Sequence, residues 1–201
     1  MKKSFRKLLP IGLILVLSFT LMACGKKSTP EESMISYLNL LVNGSDDSET
    51  LPKAEKESVL KARDDAFMYM IEGNELYKGL MDDALKKEYM DAVYNGAKIT
   101  KYSVLSSKID GDTATVDIEI QGANMSAAFD KAGANVNARP EVSDMDDKTF
   151  YIEVLKEFPK TLATVEQIPE KKTVTINVKK SKGYWSIDSI TDITNNIVNI
   201  K

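Results

Sequence analysis

The sequence predicts an α+β domain in which N-terminal helices pack on an antiparallel sheet of two hairpins, with a helical insertion between the hairpins. Apolar residues recur at helical spacing over residues 30–96. The apolar period then changes to two in residues 99–120 and again in residues 174–190, and each segment contains a turn signal. Residues 122–169, between these segments, return to helical spacing.

The N-terminus has the three parts of a secretory signal: a basic start, an apolar run from Leu8 to Met22, and small residues before a cysteine. The stretch Leu21-Met22-Ala23-Cys24 resembles a bacterial lipoprotein lipobox. The resemblance implies that Cys24 is diacylated, becomes the new N-terminus and anchors the protein to the outer face of the cytoplasmic membrane. An ordinary signal peptide with a chance cysteine and an uncleaved N-terminal span are the alternatives.

These boundaries divide the chain into a signal peptide (1–23), a lipidated tether (24–29) and a single α+β domain (30–201). Residues 24–201 carry 23 basic and 30 acidic side chains, a net charge of about −7. An acidic body disfavours nucleic acid as a partner. The chain has no histidine, which excludes Ser-His-Asp and Cys-His catalysis and His-ligated metals, and its single cysteine excludes an internal disulfide.

A capping box predicts where the first helix begins. Thr29 is the expected N-cap, Pro30 suits the first helical position, and Glu32 is the capping-box partner. Asn43-Gly44 is expected to end the helix.

Two longer helices are predicted next. The second runs from about Pro52 to Glu72 and is broken by Gly73-Asn74. The third is expected to begin near Glu75, because a long apolar stripe follows, and to end at Asn95-Gly96.

Four strands account for the segments of period two. Residues 99–109 and 114–120 are expected to form a hairpin around the Asp110-Gly111 turn. Residues 174–178 and 184–190 form a second hairpin around a basic turn. The last segment, 191–201, fits either a helix or a fifth strand.

The insertion, at about 122–169, is expected to hold two helices. The first covers Ala123 to Ala132 and precedes a loop. Asp144, Asp146 and Asp147 open the second, and their place before an apolar stripe favours helix capping over a metal site.

The two hairpins carry a resemblance to a known fold. The segments "SSKIDGDTATVDIEI" and "KTVTINVKKSKGYWSIDSI", with the preceding helices, resemble the cystatin-like, nuclear-transport-factor-2-like fold over about residues 53–190. They look like lipoproteins of that superfamily, in particular the domain-of-unknown-function 5105 group. The resemblance implies a curved sheet that wraps helices around a cone-shaped pocket. The helical insertion departs from the simplest members.

A pocket of this kind would be lined by apolar and aromatic side chains from the sheet and the helices. The candidates are Phe67, Tyr77, Tyr102 and Trp185. The same pattern describes a filled core, and we favour that alternative. No catalytic residue, metal ligand or cofactor site is predicted.

Three functions remain open at this stage. The first is a non-catalytic binding module that holds a small apolar ligand or an envelope protein. The second is a pocketless protein that docks through the insertion helix around Phe150, Tyr151 and Phe158. The third is an enzyme that uses Asp117 or Glu119 as a carboxylate base. The sequence leaves open whether the protein forms a homodimer through its sheet, as relatives of this fold often do.

Overall fold

A computed structural model describes residues 27–198. In that part of the chain, six α-helices accompany one four-stranded antiparallel sheet, so the predicted α+β class is confirmed. The signal peptide and Cys24 lie outside the described residues. The helices are α1 (Pro30–Asn43), α2 (Lys53–Glu72), α3 (Asp83–Ala97), α4 (Met125–Asn137), α5 (Asp147–Leu162) and α6 (Thr191–Val198). The strands are β1 (Lys101–Asp110), β2 (Thr113–Gln121), β3 (Lys172–Ser181) and β4 (Tyr184–Ile187).

The sheet has the strand order β1-β2-β3-β4, in which every neighbouring pair is antiparallel. One face is apolar and buried under helices, as the alternation in β2 illustrates. Its buried residues are Ala114, Val116, Ile118 and Ile120. The intervening positions are polar and lie on the opposite face. The sheet is therefore covered by helices on one side, which is the usual consequence of period-two patterning in antiparallel strands.

A bulge interrupts β1. Val104 is paired with Ile118, whereas Ser106 is paired with Asp117, so Leu105 is an extra residue in the ladder. Beyond it Ser107 pairs with Val116, which places Ser107 on the same face as Val104.

Helix α1 packs on the inner face of the sheet and contacts β1 and β4. The predicted capping box is confirmed: the Glu32 N–H donates to Thr29 Oγ1 at 3.1 Å, and the Thr29 N–H donates to Glu32 Oε2 at 2.9 Å. Gly44 ends the helix with φ +76°, a conformation that favours glycine. The local signals at both ends of α1 thus gave correct boundaries.

The predicted start and end of the third helix were wrong. α3 begins at Asp83, and residues 73–82 form turns instead of its first two turns. The Asp82 side chain caps α3 by accepting from the Leu85 N–H at 2.8 Å. At the other end Gly96 lies inside the helix, where a Cβ would meet Leu162 at 3.1 Å, so this glycine permits close packing and does not end α3.

The insertion is more helical than expected. α4 continues through Gly133 to Asn137 and so takes up the first half of the loop predicted for residues 133–142. A 3₁₀ segment, Pro140–Asp144, then leads into α5. The capping interpretation holds for Asp146, whose Oδ1 accepts from the Thr149 N–H at 2.7 Å.

Two other boundaries are resolved by the structure. The predicted basic turn belongs mostly to β3, which runs to Ser181, and the turn itself is Lys182-Gly183. The closing segment is the helix α6, not a strand, up to Val198. None of the helices between residues 27 and 198 is both long and apolar enough to span a bilayer.

Candidate functional site

Six aromatic rings form a continuous series of contacts from the core to the surface, and we call them the aromatic cluster. Successive ring centroids are 5.3–5.6 Å apart in the order Phe150, Tyr151, Tyr77, Phe129, Phe158 and Tyr89. Edge-to-face and tilted arrangements at these distances are favourable for aromatic pairs. The cluster therefore joins three helices and one turn into a single packed unit.

The side chains of the cluster range from completely buried to half-buried. Tyr89 in α3 and Phe158 in α5 are completely buried. Phe150, Tyr151 and Tyr77 are half-buried. Leu76, which precedes Tyr77 in the chain, is 54% exposed, which makes it one of the most exposed large apolar side chains in the described residues. The outer end of the cluster, formed by Phe150, Tyr151 and Tyr77, is thus a partly accessible apolar surface on a rigid support.

The turn between α2 and α3 positions Leu76 and Tyr77. Glu72, the last residue of α2, accepts from the Gly79 N–H at 3.2 Å and pairs with Lys86 Nζ at 3.0 Å. The Lys86 side chain and the Gly79 amide lower the pKa of the Glu72 carboxyl below its ordinary value, although burial opposes them. One carboxylate therefore fastens the turn to the start of α3.

Two glutamates on α5 bind Arg139 in the segment that precedes the helix. Arg139 Nη1 donates to Glu153 at 2.8 Å, and Nη2 donates to Glu157 at 2.9 Å. Hydrogen bonds from Lys160 and Asn135 lower the pKa of the Glu157 carboxyl. This network fastens the segment before α5 to the helix.

The four predicted pocket residues lie in different surroundings. Only Tyr77 belongs to the aromatic cluster, where burial and the neighbouring Tyr151 raise the pKa of its hydroxyl. Phe67 is completely buried against Tyr94, with ring centroids 6.1 Å apart.

Tyr102 and Trp185 are held by α1 and the segment before it. The Tyr102 hydroxyl donates to Asn39 Oδ1 at 2.6 Å and accepts from Asn43 at 3.3 Å. The buried Trp185 donates through Nε1 to the Ser28 carbonyl at 3.2 Å. Both are structural contacts between α1, its leading segment and the sheet.

Three open cavities are formed by described residues, and none is lined by Phe67, Tyr77, Tyr102 or Trp185. A cavity of about 220 Å³ lies between α4 and α5, and one of about 530 Å³ lies at the hairpin end of β1 to β3. A third, of about 390 Å³, lies between α2 and the segment after β4. All three have polar side chains among their walls.

The two carboxylates of the enzyme hypothesis lie on the outer face of the sheet. Asp117 accepts from Thr175 Oγ1 at 2.6 Å and from Ser106 Oγ at 3.1 Å. Glu119 pairs with Lys171 at 2.8 Å. Both side chains are engaged by neighbours on the outer face of the sheet, away from its buried apolar face.

Sequence reasoning found part of the cluster and missed the rest. Phe150, Tyr151 and Phe158 were predicted as a patch on the insertion helix, and Tyr77 was assigned to a pocket. Phe129 was missed, although it is the one aromatic residue in the alanine-rich α4. That isolated large side chain was the available signal that this face of α4 packs on another element.

Comparisons with known proteins identify a fold relationship and no family. No family model matches the sequence, and neither does any curated protein. The structure is similar to that of a Bacillus subtilis protein described as a "putative lipoprotein (ycdA)", with a TM-score of 0.70 and 15% sequence identity. The match covers 86% of this chain but 57% of the other, so the chain spans little more than half of that protein. At this identity the similarity concerns the fold alone.

Proposed function

We propose that the chain is an extracytoplasmic lipoprotein, anchored through Cys24 to the outer face of the cytoplasmic membrane. Two observations support this: the lipobox-like Leu21-Met22-Ala23-Cys24, and the similar fold of a protein described as a lipoprotein. Two acyl chains bind a membrane stably, whereas one does so only marginally. We further propose that the domain is cystatin-like and belongs near the domain-of-unknown-function 5105 group, because α1 packs across a sheet that is covered on one side.

The proposed molecular role is a non-catalytic interaction module that binds an envelope protein through the outer end of the aromatic cluster. The observation that carries this proposal is the gradation of the cluster from the buried Tyr89 to the half-buried Tyr77 and Tyr151. Aromatic side chains on a rigid support present a large contact area at small entropic cost, which is typical of binding surfaces.

The segment of the partner protein that we expect to bind here is apolar and has a basic flank. Asp144, Asp146 and Asp147 precede Phe150, and Lys148 is the one basic residue among them. A basic side chain next to the apolar part of such a segment would complement the charge of these three carboxylates. A protein segment is favoured over a small apolar ligand, because the three cavities are open and have polar walls.

Native mass spectrometry of the full chain, extracted from its own membranes, tests the docking surface. We expect a second protein of one defined mass, lost in a Leu76→Asp/Tyr151→Asp double variant. Tyr69→Asp is the matched control, because Tyr69 is 73% exposed on α2 and lies outside the cluster. Retention of the second protein by the double variant would contradict the proposal.

The same spectra distinguish the other functions. A small-mass adduct that is lost on Trp185→Ala or Tyr102→Ala would support a ligand pocket instead. A chain that carries neither a protein nor a small adduct would refute both forms of the binding module.

The anchor is tested by the mass of the chain itself. We expect the extracted protein to lack residues 1–23 and to carry a diacylglyceryl group. If the Cys24→Ala variant is still cleaved, its mass should lack the diacylglyceryl group. High salt should then release it from the membrane fraction. A wild-type chain that is extracted at full length and carries no diacylglyceryl group would favour the uncleaved N-terminal span.

A further inference from the structure

The cavity between α2 and the segment after β4 has a largely apolar lining, and we call it the α2 groove. Val59, Ala62 and Ala66 line it on α2, and Ile187 and Ile190 line it on the other side. The three α2 residues recur at intervals of three and four positions, so they form one stripe along the helix. The volume of about 390 Å³ is within the range of small-molecule sites.

Glu55 adds a carboxylate to this lining. It lies four positions before Val59 and therefore on the same face of α2. Tyr37 in α1 donates its hydroxyl to Glu55 Oε1 at 2.6 Å, and Tyr184 in β4 donates to Oε2 at 3.3 Å. The carboxylate is thus held from two other elements of the fold. A ligand that meets it does not have to order this side chain, which reduces the entropic cost of binding.

The two tyrosines supply hydrogen bonds to Glu55 but no positive charge. The side chain of Tyr37 is completely buried. Burial, together with the hydrogen bond to Glu55, raises the pKa of the Tyr37 hydroxyl, so the hydroxyl keeps its proton. The negative charge of Glu55 is therefore not neutralised by the groups that hold it.

Glu55 also has no cationic partner within residues 27–198. The two lysines beside it on α2 are engaged by other carboxylates. Lys53 pairs with Glu57 at 3.7 Å, and Lys56 pairs with Asp46 at 3.1 Å. A half-buried carboxylate is screened less by solvent and salt than an exposed one, and so it attracts a cation more strongly.

The two other carboxylates of the lining are already paired at the surface. Asp65 pairs with Lys61 at 2.5 Å, and Asp188 pairs with Lys179 at 3.0 Å. The groove therefore presents one carboxylate without a counter-ion. That carboxylate, Glu55, lies at the N-terminal end of the α2 stripe.

We propose that the α2 groove binds an aliphatic ammonium group, with the charge on Glu55 and the hydrocarbon stem along Val59 and Ala62. An ammonium donates to the lone pairs that the tyrosines leave free, and the stem displaces water from the apolar lining. A free amine and a lysine side chain both have this chemistry. The groove shares no lining residue with the aromatic cluster, so this site is separate from the proposed docking surface.

Amide NMR spectra of the isotope-labelled full chain in detergent test the proposal, with n-butylammonium as the probe. We expect saturable shifts in residues 55–66 and 187–191, which line the groove. n-Butanol has the stem without the charge, and methylammonium has the charge without most of the stem. Each should bind about tenfold more weakly, because it lacks one half of the contact.

Two variants test the two halves of the site. Glu55→Gln should raise the dissociation constant of n-butylammonium about tenfold or more, because the ion pair is lost. Glu57→Gln is the matched control, since Glu57 lies on the same helix but outside the lining, and it should have little effect. Ala62→Leu should abolish binding with Glu55 intact, because leucine fills the space of the stem. Far-ultraviolet circular dichroism checks the fold of each variant.

A further probe identifies the source of the ammonium group. Nα-acetyl-lysine methylamide carries the same group and stem on a peptide backbone. Binding as tight as that of n-butylammonium assigns the groove to a lysine of a protein, and weaker binding assigns it to a free amine. The absence of saturable n-butylammonium shifts in the two segments overturns the proposal. Equal binding of n-butanol does so too, and so does equal weakening by Glu55→Gln and Glu57→Gln.

Discussion

The carboxylate of Glu72 holds together the turn that carries Leu76 and Tyr77. It accepts from the Gly79 N–H and pairs with Lys86, and these contacts lower its pKa. A carboxyl whose pKa is lowered in the folded state stabilises the fold above its ordinary pKa. That contribution is lost as the pH falls through the lower, folded value.

Glu72→Gln is therefore expected to lower the free energy of unfolding by about 1 kcal/mol at pH 7, because a charge-assisted bond is lost. The difference from wild type should shrink as the pH falls below about 4.5, the ordinary value for this carboxyl. Urea unfolding followed by Trp185 fluorescence measures both values. Glu75→Gln, at an exposed pair with Lys78, is the control. An equal difference at pH 7 and pH 3 would contradict this role.

Single residues were predictable where their partners are close in sequence. The Thr29 cap was found because Glu32 lies three positions away. The contact of Tyr77 with Tyr151 was not, because it joins residues that are distant in the chain. Local patterns specify caps and turns, whereas such pairings are fixed by how the helices pack.

At the scale of elements, the start of α3 illustrates a limit of periodicity. Leu76, Tyr77 and Leu80 continue the apolar stripe of α3 backward, and so the sequence suggested a helix from Glu75. Gly79 adopts φ +70° within that stretch, and Asp82 caps the helix three residues later. Tyr77 and Leu80 are apolar because the turn packs them against the core, not because the segment is helical.

Asp82→Ala should destabilise the protein by about 1 kcal/mol, the usual cost of losing an N-cap. Asp82→Asn should be nearly neutral, since an amide oxygen also accepts from the Leu85 N–H. Thermal unfolding compares the two variants with Asp83→Ala, which leaves the cap in place. A loss of stability for Asp83→Ala as large as that for Asp82→Ala would contradict the assignment.

Strands were easier to predict than the helices of the insertion. The alternation in β2 is uninterrupted, because one face is buried and the other is solvated. Gly133 suggested a loop, yet it lies within α4, where an added Cβ would meet nothing within 4 Å. A glycine on an exposed helical surface lowers helix propensity without ending the helix.

At the scale of the whole molecule, the segment before α1 is bonded to the far end of the sheet. The Ser28 N–H donates to the Gly183 carbonyl at 3.0 Å, and its own carbonyl accepts from Trp185 Nε1. Ser28 and the cap residue Thr29 are thus part of the folded body, although the sequence placed them in the tether.

Trp185→Phe should release this segment, because phenylalanine cannot donate to the Ser28 carbonyl. We expect a loss of about 1 kcal/mol and faster hydrogen exchange at the Ser28 amide. Hydrogen exchange with mass spectrometry measures the second effect. Tyr184→Phe is the matched control, since it removes the hydrogen bond to Glu55 and leaves Ser28 bound. Unchanged exchange at Ser28 in Trp185→Phe would contradict the contact.

The layered architecture was predictable from the sequence, whereas the site was not. Alternating apolar residues predict a buried face, but the same residues describe an open cone and a filled core. Phe67 and Trp185 proved to be buried side chains in separate surroundings, and the accessible aromatic residues belong to the insertion. Which faces remain uncovered depends on packing between distant segments, and one sequence alone does not encode that directly.

The attachment of Ser28 to β4 limits the reach of the proposed lipoprotein. Ser28 follows Cys24 by four positions, so an anchor at Cys24 lies within about 14 Å of the folded body even when the chain is fully extended. Encounters would then take place by lateral diffusion in one thin layer above the lipid headgroups. Confinement of this kind raises the effective concentration of a partner that is held in the same layer. Contacts too weak to persist in free solution can therefore be populated at the membrane.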